Sequence, residues 1–150
     1  MSAQPATTEK TRPSLTLRRR YVAPPEKVFQ AFTDPLMLVG WLGGGDVTPE
    51  LAETDPRPGG RYRIVMHGAA GERHEVGGVY REVLPGRRLV FTWAWISTPE
   101  RQSLVSVDFM PDGTGTILTL THEQFFDEAA RDRHHVGWTS SLDKLQALVG

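Results

Sequence analysis

The chain of 150 residues has no cysteine. Disulfides, thiolate metal sites and cysteine nucleophiles are thereby excluded together, and the absence agrees with a cytoplasmic protein. Nowhere is there an apolar run of the ~18–20 residues that a bilayer-spanning helix needs, and Met1–Pro13 holds no hydrophobic stretch fit for a signal peptide. A surplus of charge is missing too. Lys and Arg number 17 against 18 Asp and Glu, a formal net charge of -1, so the balance recommends neither nucleic acid nor an anionic membrane as a partner. There is no Gly-x-Ser-x-Gly elbow, no Gly-x-Gly-x-x-Gly follows a strand, and Gly43-Gly44-Gly45 lacks a following Lys-Ser/Thr. Serine-hydrolase and nucleotide-binding readings therefore have no support.

What is present is a globular composition, 39% hydrophobic and 23% charged, in a length suited to one domain with a substantial core. The Thr-, Pro- and Ala-containing stretch 1–13 is expected to be a flexible tail, and 14–150 the domain. Leu15 to Val22 predicts a first strand with Leu15 and Leu17 on one face, and with Arg18-Arg19-Arg20 as solvated edge charges. Ala23-Pro24-Pro25-Glu26 then starts a short helix that Asp34-Pro35 ends. A second short helix, about Leu36 to Trp41, is stopped by Gly43-Gly44-Gly45. Together the two predict a plug or lid at one end of a sheet rather than a crossover.

From Asp46 to Glu123 the chain alternates strands with turn signals at 55–60, 68–71, Pro85-Gly86, Thr98-Pro99 and Pro111-Asp112-Gly113, the mark of an antiparallel meander. Tyr62, Ile64 and Met66 share one face. So do Leu89, Phe91, Trp93 and Trp95, then Val105, Val107 and Phe109, then Leu118, Leu120 and His122. A sheet with one apolar face must be covered, and only the segment from about Asp127 to Val149 is long enough to do it. Asp127 suits the N-cap. At 100° per residue Ala130, His134, Gly137, Trp138, Ser141, Leu145 and Leu148 fall on one stripe. Gly137 in mid-helix costs about 1 kcal/mol relative to alanine. It marks either close approach by a strand or space for a ligand walled by Trp138, with Trp41, Trp93 and Trp95 completing a large apolar lining.

Several motifs then resemble a known family in an ordered series: Arg20-Tyr21-Val22-Ala23-Pro24-Pro25-Glu26-Lys27-Val28-Phe29, Phe32-Thr33-Asp34-Pro35 with Trp41, Pro58-Gly59-Gly60-Arg61-Tyr62, Gly78 to Val83, Arg88 to Trp93, Gly115 to Glu123, and Gly137-Trp138. The chain is similar over about Leu15 to Gly150 to the START-like superfamily, and most to its branch related to the activator of heat-shock-protein-90 ATPase. The resemblance implies an α+β helix-grip fold, a curved antiparallel sheet (β-α-α-β6-α) wrapped round a long C-terminal helix with a deep cavity between them. Members of the superfamily bind lipids, sterols, polyketides and other hydrophobic molecules, and some are polyketide cyclases or aromatases. The eukaryotic co-chaperone carries an additional N-terminal domain for which this chain has no room, so no chaperone interaction is expected.

The candidate ligand-binding residues are the inward set. They are Trp41 from the plug, Tyr62, Ile64 and Met66, Phe91 and Trp93, Val107 and Phe109, Leu120 and His122 from the strands, and His134, Trp138 and Ser141 from the helix. A small hydrophobic or aromatic ligand is the expected partner, without cofactor or metal; lipid binding belongs to the same reading, and a homodimer is left open. The space it needs is roughly 300 Å³ or more. His67 and His74 flank a hairpin turn with no evident third ligand, and His134 and His135 point about 100° apart on a helix, so a metal site is not expected. The alternatives are a cyclase- or hydrolase-type enzyme acting on a bound apolar substrate, in which inward-facing His122 and His134 serve as proton-transfer groups, and a co-chaperone-like protein-interaction module. Arg63, Arg81 and Glu75 are possible polar contributors whose facing a single bulge would reverse.

Overall fold

The structure, a computed structural model, describes residues 12–150. Most of the expected tail lies outside the described residues. At its end the Pro13 carbonyl already accepts the Phe125 amide at 3.2 Å. The elements follow in the order β1 (Leu15–Tyr21), α1 (Pro25–Thr33), α2 (Pro35–Trp41), β2 (Thr48–Thr54), β3 (Arg61–His67), β4 (Arg73–Leu84), β5 (Arg88–Trp95), β6 (Ser103–Asp112), β7 (Gly115–Glu123) and α3 (Glu128–Val149). The strands form one antiparallel sheet in the order β1-β7-β6-β5-β4-β3-β2. It is a meander of six strands closed at one edge by β1, whose Leu15 faces His122 and Tyr21 faces Thr116. Register shifts between Pro49 and Leu51 and between Tyr80 and Glu82 bend the strands locally, as bulges do. The result is the curved sheet and long helix of a helix grip.

The alternation read from the sequence holds along the middle of the sheet. Leu89, Phe91, Trp93, Val105, Val107, Phe109, Leu118, Leu120 and His122 are all buried. Trp95, at the end of β5, is only half-buried. Pro25 occupies the first turn of α1, where its missing N–H costs nothing. Asp34 ends α1 and caps α2, its carboxylate accepting the Leu36 amide at 2.9 Å. The two helices plug one end of the sheet. Phe29 and Phe32 each meet the ring of Phe109 edge-on, at 5.5 and 5.6 Å. Trp41 packs against Phe32 with the rings tilted by 59° and their centroids 4.7 Å apart, and donates its indole N–H to the Ala31 carbonyl at 2.8 Å.

Asp127 caps α3 through the Ala130 amide. The buried stripe of this helix is Ala130, Trp138, Ser141, Leu142, Leu145 and Val149. Leu148, expected on the stripe, is 41% exposed, while Leu142 is 1% exposed. The helix is rolled toward β1, where the buried Tyr21 hydroxyl donates to the Leu142 carbonyl at 2.9 Å. An ideal helical wheel has no knowledge of that anchor. Among the described residues no helix is long and apolar enough to cross a membrane.

Candidate functional site

Two spaces lie between the sheet and α3. The smaller, about 20 Å³, is enclosed by aromatic and aliphatic side chains that include Trp41, Tyr62, Ile64 and Phe91. It has room for a single water. The larger, about 580 Å³, is bounded by Leu42, Met66, Trp93 and Trp138 within, by the β5–β6 connection at Trp95–Thr98, and by His134, Gly137 and Ser141 of α3. That volume is in the range of pockets that take small organic ligands, about 300–1,000 Å³. Trp93 and Trp138 border both spaces, with ring centroids 5.3 Å apart.

Gly137 explains how the larger space is kept. A Cβ built on it meets nothing within 4 Å, whereas one built on Gly44 would stand 2.6 Å from the Gly137 Cα. The close approach to the helix is therefore made by the Gly43–Gly45 loop and not by a strand, and it needs the missing side chain of Gly44, whereas the side-chain direction of Gly137 is open. Three polar side chains strap this loop to α3. The Gly43 amide donates to Ser141 Oγ at 3.0 Å and the Gly45 amide to Ser140 Oγ at 2.9 Å, and Lys144 Nζ donates to the Gly43 carbonyl at 2.8 Å. Ser141 borders the cavity but spends its hydroxyl oxygen on the strap.

The histidines are held by tryptophans. Trp138 Nε1 donates to His122 Nδ1 at 3.0 Å, which leaves the His122 proton on Nε2, facing Ser103 Oγ at 2.7 Å. The serine hydroxyl in turn donates to the Trp93 carbonyl at 3.2 Å. Likewise Trp95 Nε1 donates to His134 Nε2 at 2.9 Å, so Nδ1–H donates to the Ala130 carbonyl at 2.7 Å. Both rings are neutral in this network. Burial, with a smaller repulsion from His134, drives the His122 pKa well below its ordinary 6.5. Burial is also the main cause that lowers His134. With both nitrogens committed and no face on the cavity, His122 is a satisfied core histidine. Trp93 is the exception to the pairing: its indole N–H is the one buried side-chain polar atom without a partner among the described residues.

Of the expected ligand contacts, Met66, Trp93, His134, Trp138 and Ser141 border the large cavity. Trp41, Tyr62, Ile64 and Phe91 enclose the small one. Val107, Phe109, Leu120 and His122 border neither and are core. Alternation identifies the inner face of a strand but not the depth along it at which the sheet and helix part. The loop Gly43–Gly45, the connection Ile96–Thr98, Arg101 and Arg133 also border the cavity and were not anticipated. Trp95, expected in the aromatic lining from its inward parity, borders the cavity too, and Arg133 left a faint signal because it directly precedes His134. Glu75 borders the cavity as well, bound by Arg63 at 2.7 Å and Arg73 at 3.3 Å. Arg81 is exposed at the β4 bulge. His67 pairs with Glu50 and His74 with Glu72, and no three metal-ligating side chains converge among the described residues.

With this architecture in place, comparison with known proteins is decisive for family. Residues 22–150 match the model of the Activator of Hsp90 ATPase homolog 1-like protein family. The chain belongs to this family. Protein CV1439 from Chromobacterium violaceum is similar in structure with a TM-score of 0.82 at 31% identity, over 91% of this chain and 96% of that one. The AHSA1 (SPO3351) protein from Silicibacter pomeroyi gives 0.78 at 31% identity, over 90% and 96%. CalU16 from Micromonospora echinospora gives 0.70 at 28% identity, over 91% and 76%. No protein of curated function matches the chain.

Proposed function

We propose that the domain binds a small hydrophobic or aromatic molecule in the cavity of about 580 Å³ between the sheet and α3. The cavity itself carries this reading. Its inner wall is made of Trp93, Trp138, Met66 and Leu42, side chains that gain from contact with flat apolar surface and offer little to a polar solute. The unpartnered indole N–H of Trp93 supports an occupant that carries an acceptor oxygen as well as a skeleton, since an unsatisfied buried donor costs about 1–3 kcal/mol. Proton-transfer chemistry gains nothing here from His122, whose nitrogens are occupied by Trp138 and Ser103.

The test is a fluorescence titration with the neutral probe N-phenyl-1-naphthylamine on the wild type and on Gly137→Leu. Saturable binding is expected for the wild type. The leucine projects into open space and should weaken binding by about tenfold or more, as lost apolar contact in a pocket does, while the fold persists. No saturable binding, or equal binding by both proteins, would contradict the proposal. Native mass spectrometry of the freshly purified protein would show a retained ligand and its mass.

A further inference from the structure

The cavity mouth has a charge asymmetry that the molecule as a whole lacks. Arg73, Arg101 and Arg133 border it against the single carboxylate of Glu75, on a chain of net charge -1. Glu75 is already consumed by Arg63 at 2.7 Å and Arg73 at 3.3 Å. His134 contributes no charge, its nitrogens being shared between Trp95 and Ala130.

Two guanidinium groups remain. Arg101 lies over the Phe126 ring at 3.9 Å, with its carboxylate neighbour Glu100 at the outer limit of an ion pair, 4.0 Å. Stacking on the ring restrains the guanidinium plane and leaves its N–H edge available. Arg133 pairs with no carboxylate among the described residues. Just inside them the wall turns apolar at Trp93 and Trp138.

We infer that the occupant is an apolar acid, its ring skeleton against Trp93 and Trp138 and its carboxylate at the mouth facing Arg101 and Arg133. The inference rests on the ligand-binding reading above and adds the charge of the ligand to it. A guanidinium matches a carboxylate with two parallel hydrogen bonds, and a cationic mouth above an apolar pocket concentrates and orients an anionic amphiphile.

Three fluorescent probes of one skeleton test it: 1-pyrenebutyrate, 1-pyrenebutanol and 1-pyrenebutylamine. At low ionic strength the acid should bind about tenfold more tightly than the alcohol, the sum of two partly exposed charge contacts, and the amine should bind most weakly. The preference should shrink as salt is raised. In Arg101→Gln/Arg133→Gln the acid should fall to the level of the alcohol, while the alcohol binds as in the wild type and so reports an intact cavity. Equal binding of acid and alcohol to the wild type, or a preference that survives the double substitution, would overturn the inference and leave the ligand-binding reading standing. Failure of all three probes to bind would overturn both.

Discussion

At one end of the grip Phe29 and Phe32 from the first short helix meet Phe109 of β6 with ring centroids 5.5 and 5.6 Å apart, and Trp41 from the second packs on Phe32 at 4.7 Å. At the other, Trp93, Trp138 and His134 border about 580 Å³ of open space. The same sheet and the same α3 serve both ends. What differs is the third element between them. At the filled end two short helices bring large aromatics inward. At the hollow end a three-glycine loop has no side chains to contribute and lies against the Gly137 backbone, held at its edge by Ser140, Ser141 and Lys144. Hollowness here follows from a poor supply of side chains, and the polar strap keeps the walls from collapsing onto it.

Substitutions that act on one end and spare the other would sharpen this contrast or break it. The largest effect is expected from Phe109→Ala, which empties the aromatic cluster. It should cost about 3–5 kcal/mol by urea unfolding and leave probe affinity unchanged; a loss below 1 kcal/mol would mean that the filled end is not tightly packed. Next comes Gly44→Ala, whose methyl meets the Gly137 backbone. It should destabilise by about 1–3 kcal/mol and disturb binding, because backbone cannot rotate away as a side chain can.

His122, bonded to the cavity-wall indole of Trp138, gives the fold a pH dependence. His122 has a folded pKa well below its ordinary 6.5, because burial disfavours the imidazolium. The unfolded chain therefore binds the proton first as pH falls. Its contribution is fully present above about pH 6.5 and is lost as pH falls from there toward the folded pKa, at about 1.4 kcal/mol per pH unit. Urea midpoints at pH 7.5, 6.5 and 5.5 in wild type and His122→Gln measure it, and an equal acid slope in both would remove His122 as the cause. The smallest effect is expected from Gly137→Ala. Its Cβ enters open space, so the helix should gain up to about 1 kcal/mol. A destabilisation would show that the loop needs the glycine there.

Much of the fold was legible because it rests on local rules. Asp34-Pro35 and Asp127 read correctly as helix boundaries, since capping depends on neighbouring residues alone. The inward faces of β5, β6 and β7 read correctly because a strand has a strict period of two. The site was legible only in outline. Phe109 and Phe91 look alike in the sequence, yet one packs under the helical plug and the other borders the small void. Leu148 and Leu142 changed places on the stripe because Tyr21, distant in sequence, anchors one flank of α3. Arg101 lies in a connection with no periodicity to interpret.

The sequence by itself determined the elements, their order, the apolar faces and, through motif resemblance, the family. These follow from propensity, alternation and capping, which act over a few residues. Only the tertiary structure decided where sheet and helix part, that the indole of Trp93 is left without an acceptor, and that Arg101 and Arg133 border one opening. A cavity is a relation between surfaces that meet from distant parts of the chain, and its depth depends on curvature and helix roll that no local pattern encodes.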